Sequence, residues 1–191
     1  MTGAAAFALT AGAASASASI ARATALSGGS SSTGTGSGSA VQVQSVSGGQ
    51  AAGSACAISQ LKAVAEKGDV GAGSVHFRLV FTNVSGKTCT LAGYPGVSYI
   101  KGGGVQVGNA ARRVSGTPVT TVTLRPGGTA SAMVGDSNGT GSYDPGECRL
   151  TSVEGLRVYP PNQKTALFVA KKTKHCAGTG ISPLNVQAIR R

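Results

Sequence analysis

The sequence predicts an all-β fold, an immunoglobulin-like β-sandwich with two disulfides, behind a disordered Gly/Ser/Ala-rich N-terminal segment. Three observations predict it. Ser74 to Asn83 alternates, with Val75, Phe77, Leu79 and Phe81 on one face and His76, Arg78 and Thr82 on the other, Val80 being the exception. Short Val- and Thr-rich runs recur between Gly/Pro turns. Four cysteines, Cys56, Cys89, Cys148 and Cys176, occur without a C-x-x-C pair.

Composition divides the 191 residues at Cys56. Of the first 55 residues, 43 are Gly, Ala, Ser or Thr, and Arg22 is their only charge. Such a stretch buries too little apolar surface to offset an ordering entropy of roughly 1–2 kcal/mol per residue. Residues 1–26 read as a truncated signal peptide. A small, mildly apolar stretch through Phe7 and Leu9 leads to Ala14-Ser15-Ala16 and Ala16-Ser17-Ala18, which fit an A-x-A cleavage site, but a basic start is missing. Residues 27–55 read as a flexible Gly/Ser linker. Gly53-Ser54-Ala55 lacks the apolar residue that a lipidation site places before its cysteine, and a lipid on Cys56 would deprive Cys89 of a partner.

Residues 56–191 form the expected sandwich domain. They hold 16 of the 17 basic residues and all six acids. Strands are expected at 57–65, 74–83, 88–92, 96–100, 104–108, 119–124, 129–134, 152–159, 165–170 and 184–189. Arg125-Pro126-Gly127-Gly128 is a turn between two of them. Ile58–Lys67 reads equally as helix or strand. Trp is absent, which excludes an antibody-type domain with its buried Trp on the disulfide.

The four cysteines admit three pairings, and spacing alone selects none of them. Zinc is not expected, despite His175 beside Cys176, because the C-x-x-C spacing of zinc sites is missing. Two disulfides suit a secreted chain of this size. Paired in sequence order they would close loops of about 30 residues, each worth roughly 3–4 kcal/mol.

Several strings are distinctive together. They are Leu79-Val80-Phe81-Thr82-Asn83-Val84-Ser85, Cys89-Thr90-Leu91-Ala92-Gly93-Tyr94-Pro95-Gly96-Val97, and Val122-Thr123-Leu124-Arg125-Pro126-Gly127-Gly128-Thr129-Ala130, with Cys56 before them and two cysteines after. In these the chain resembles the actinobacterial secreted and lipoprotein family of domain of unknown function 4232, over about residues 56–189. The resemblance implies a β-sandwich exported to the cell envelope with cysteines paired in order, Cys56 to Cys89 and Cys148 to Cys176. It implies no reaction.

The motifs that could carry chemistry are few. Six carboxylates and two histidines leave little for acid–base catalysis. Gly135-Asp136-Ser137-Asn138-Gly139 matches the G-x-S-x-G of serine hydrolases, but no helix is expected after Ser137, and a Gly/Ser-rich chain produces the pattern by chance. Asp136, Asn138, Thr140, Asp144 and Glu147 match the spacing of a calcium loop, although helices to flank it are not expected and Asp144-Pro145-Gly146 is a good turn by itself; a polar hairpin loop is the favoured reading. Asn83-Val84-Ser85 and Asn138-Gly139-Thr140 are glycosylation sequons that matter only in a eukaryotic secretory route. The basic clusters Arg112-Arg113, Lys171-Lys172-x-Lys174 and Arg190-Arg191 could form an anion-binding face, or serve solubility alone. Nucleic acid fits the charge, but no binding motif accompanies it.

The expectation is a secreted or cell-envelope module without enzymatic activity or cofactor. Its partner would be an anionic wall polymer or a secreted protein. The alternative is a secreted protease inhibitor that presents the 135–147 loop. No uninterrupted run is apolar enough to span a membrane.

Overall fold

Alternation in the sequence becomes strand wherever a second strand can take up its hydrogen bonds. The computed structural model describes residues 53–116, 118–137 and 142–191. The signal-like segment 1–26 and residues 27–52 of the linker lie outside the described residues. Gly53–Ala55, placed in the linker by composition, are already part of the fold: Thr90 N–H donates to the Ser54 carbonyl at 2.9 Å, and Ala55 forms a parallel bridge with Thr90.

Twelve strands occur among the described residues: β1 (Leu61–Ala65), β2 (Asp69–Gly71), β3 (Ser74–Asn83), β4 (Cys89–Ala92), β5 (Gly96–Lys101), β6 (Val105–Val107), β7 (Arg112–Arg113), β8 (Thr121–Leu124), β9 (Thr129–Asp136), β10 (Leu150–Tyr159), β11 (Leu167–Cys176) and β12 (Leu184–Val186). One sheet has the order β1-β3-β9-β12-β7, with β2 also pairing β3. A second has the order β11-β10-β5-β6, and β4 and β8 form a two-stranded sheet. The arrangement is sandwich-like.

The core forms where the inward faces of the sheets meet. Phe77, Leu79 and Phe81 of β3 are buried, as the alternation requires, against Val97 and Tyr99 of β5 and Leu156 and Val158 of β10. Burying each such side chain contributes roughly 1.5–3 kcal/mol. Val80, the apolar residue on the outward face of β3, is only half-buried.

Departures from the expected elements have local causes. Ile58–Gln60 forms one 3-10 turn and Leu61–Ala65 a strand, which resolves the ambiguity of Ile58–Lys67 in favour of pairing with β3. β11 runs six residues beyond the expected 170, through the lysine-rich stretch. Its partner β10 continues alongside, pairing Ser152 with Lys174 and Leu150 with Cys176. Pro145–Cys148 forms a single helical turn. Proline stands at its start and Asp144 caps it, the carboxylate accepting from Gly146 N–H at 2.8 Å.

Two disulfides fasten the loops. Cys56–Cys89 joins the chain entering β1 to the start of β4, with Cα atoms 4.8 Å apart. Cys148–Cys176 joins the helical turn to the end of β11, at 4.5 Å.

Candidate functional site

Strand parity decides where each polar side chain goes. In β9, Ala130, Ala132 and Val134 face the core, so Asp136, the next residue of that parity, faces it too. In β11, Val169, Lys171, Thr173 and His175 share the inward parity, while Lys172 and Lys174 are exposed on the other face. Asp136 and His175 therefore meet between the two sheets. His175 Nδ1 lies 3.1 and 3.0 Å from the two carboxylate oxygens, and the side chains are 0% and 1% exposed.

Tyr99 completes this cluster. Its ring lies 4.4 Å from the imidazole between centroids, tilted by 33°. Burial pushes its hydroxyl pKa far above the usual tyrosine range; the Asp136 charge and a hydrogen bond to that carboxylate add to the effect. Lys171 enters from β11, with Nζ 4.2 Å from the centroid of the Phe77 ring. Loss of hydration lowers its pKa, and attraction to Asp136 partly restores it. His175 Nε2 is buried and has no hydrogen-bond partner among the described residues. It faces Gly108, where a Cβ would come within 3.1 Å of Nε2 and 2.3 Å of the Cys176 carbonyl oxygen; only glycine fits. In this arrangement the pair presents no face to solvent. Chemically it ties β9 of one sheet to β11 of the other.

The described members of the calcium-like spacing, Asp136, Asp144 and Glu147, each stand in a different setting. Asp136 is the last residue of a strand, committed to His175; Asp144 caps the helical turn; Glu147 is exposed on that turn. Asn138 and Thr140 lie outside the described residues, as does the sequon they share. Among the described residues, no three His, Cys, Asp or Glu side chains are placed to hold a metal ion. Ser137 follows β9, and Ser74 Oγ donates to its hydroxyl at 3.4 Å. The other sequon is closed off: Asn83 is fully buried, and its amide donates to the carbonyls of Lys87 and Leu124. Of the 135–147 segment considered for protease inhibition, residues 135–136 end β9, residues 142–144 lead into the helical turn that residues 145–147 begin, and residues 138–141 lie outside the described residues.

Two of the three expected basic clusters divide between strand faces, while Arg190 and Arg191 stay together. Lys171 parts from Lys172 and Lys174 and turns, half-buried, to the inward face of β11, because neighbouring strand residues point to opposite faces. Arg112 stands on the outward face of the first sheet, in register with Asn185, Gly135 and His76 across four strands. Arg113 has the other parity, and its guanidinium lies over the Tyr94 ring at 5.6 Å.

The outward face of that sheet also carries Arg78, two residues beyond His76 and bridged to Glu66 at 3.2 Å. Arg78 lines a shallow groove of about 160 Å³ with Ser131, Met133, Gln187, Arg190 and Arg191. A larger groove of about 600 Å³ adjoins it, lined by Thr120–Thr123 and the same Arg190 and Arg191. The sequence places Arg190 and Arg191 side by side but carries no signal that two grooves share them. Nothing in it marks Tyr99, while the inward parity of Ala130-Ala132-Val134-Asp136 is a usable signal for the Asp136–His175 pair.

A family model described as Domain of unknown function (DUF4232) matches residues 56–190. No curated protein and no solved structure matches the chain.

Proposed function

We propose, for a chain that belongs to the family of domain of unknown function 4232, that its folded part is a non-enzymatic extracytoplasmic module that binds anionic polymers of the cell envelope. The observation that carries the reading is the convergence of Arg78, Arg190 and Arg191 on one groove, with Arg112 on the same sheet face. Arginine suits phosphate and carboxylate groups through its planar fork of donors. Two disulfides support an oxidising compartment. Among the described residues, no helix is long and apolar enough to cross a membrane.

A face of this kind attracts a polyanion over a distance set by salt, since the Debye length falls from about 10 Å at 0.1 M to about 3 Å at 1 M. The test is retention of the full chain on isolated cell wall and on an anionic resin. Retention at low salt, released by a few tenths molar salt and weakened by Arg112→Gln with Arg190→Gln, is the expected result. Lys171→Gln, on the inward parity of β11, should leave retention nearly unchanged. Retention that survives 1 M salt, or that ignores the arginine substitutions, overturns the reading.

A further inference from the structure

The larger groove has a property that charge does not explain: it runs along a strand edge. Among the described residues β8 pairs with β4 alone. Thr90 of β4 turns its peptide groups away from β8, its carbonyl accepting from Cys56 N–H and its N–H donating to the Ser54 carbonyl, each at 2.9 Å. Thr90 stands opposite Thr123. In an antiparallel pair, opposite residues either exchange both hydrogen bonds or both turn away. Thr123, and Thr121 of the same parity, therefore direct N–H and C=O out of the β4–β8 pair, toward the groove. One of these groups already has a cationic partner: Arg191 Nη2 donates to the Thr123 carbonyl at 3.4 Å.

We propose that this groove binds an extended acidic peptide segment of another protein, which adds as a strand to the edge of β8. Main-chain hydrogen bonds at Thr121 and Thr123 would supply affinity, and carboxylates on alternate residues would reach Arg190 and Arg191. A second copy of this chain does not fit the site, because edge-to-edge pairing of β8 would bring two Arg190–Arg191 pairs together. The inference goes beyond the polyanion reading and does not depend on it.

The probe is a synthetic ten-residue peptide of alternating Glu and Val, added to the full chain, with the Gln/Val peptide as control. Expected results are at least tenfold slower hydrogen exchange at the Thr121 and Thr123 amides, and binding at least tenfold tighter than that of the control. Thr123→Pro removes a groove-facing N–H and no hydrogen bond to β4, so it should reduce binding at least tenfold. Thr121→Pro is the second variant, and the exchange measurement needs neither. Absence of amide protection, binding indifferent to both prolines, or equal protection by inorganic polyphosphate overturns the proposal. So does a concentration-dependent dimer that protects the same amides without peptide.

Discussion

Asp136 and His175 are 39 residues apart in sequence and face each other across the sandwich, Nδ1 3.0 Å from Oδ2, with neither side chain in contact with solvent. Such a pair costs desolvation to form, and its removal by halves is costlier still, because the remaining group is left buried and unpaired.

Asp136→Ala should therefore destabilise the folded domain by about 1–3 kcal/mol or more, the cost of a buried polar group left without its partner. His175→Ala should cost much less in the Asp136→Ala background than in the native chain, since the two residues share one interaction. Urea unfolding of the four proteins checks this. Additive losses would show that the pair does not hold the sheets.

The buried Tyr99 hydroxyl and the half-buried Lys171 ammonium, both near Asp136, should make stability rise toward pH 10 and fall above it. Lys171 releases its proton in the folded state below its ordinary pKa of 10.5. In the window up to that value the unfolded chain binds more protons, and stability rises with pH. Tyr99 behaves oppositely: unfolded it titrates at 10.0, while folded it keeps its proton well above that. Above pH 10 stability should fall, with a limiting slope of about 1.4 kcal/mol per pH unit. Denaturation midpoints followed from pH 8 to 12 check both limbs. Tyr99→Phe should remove the descending contribution and Lys171→Met the ascending one.

Each disulfide should contribute roughly 3–4 kcal/mol, given sequence separations of 33 and 28 residues. Non-reducing peptide maps should show Cys56 linked to Cys89 and Cys148 linked to Cys176. Replacing Cys148 and Cys176 by Ser should lower stability by about 3 kcal/mol and speed exchange of the His175 amide, the residue before the lost anchor.

Gly178 tests the packing behind that anchor. Its N–H donates to the Cys148 carbonyl at 3.1 Å, and a Cβ there would lie 1.8 Å from the Glu147 carbonyl oxygen. Backbone must move to admit it. Gly178→Ala should cost about 1–3 kcal/mol or more, measured as a lower thermal midpoint with both disulfides intact. Gly180→Ala, with open space around its Cβ position, should change stability by less than about 1 kcal/mol.

Local pattern was enough for most of the strands. The alternation of Ser74–Asn83 marks β3 to the residue, and Arg125-Pro126-Gly127-Gly128 marks the turn between β8 and β9, because side-chain parity and turn chemistry are properties of neighbouring residues. The basic excess and the cysteine count are likewise written in the composition. Pairing is not. Spacing admitted three disulfide arrangements, and the resemblance to a family, not the spacing, pointed to the one found. The lysine-rich stretch at 171–174 read as one charged surface cluster until β10 extended beside it and turned Lys171 inward. Asp136 read as part of a loop until β3 and β12 paired with it on either side and His175 met it from the other sheet. These outcomes depend on which distant strand supplies the facing hydrogen bonds and side chains, and no window of neighbouring residues contains that information.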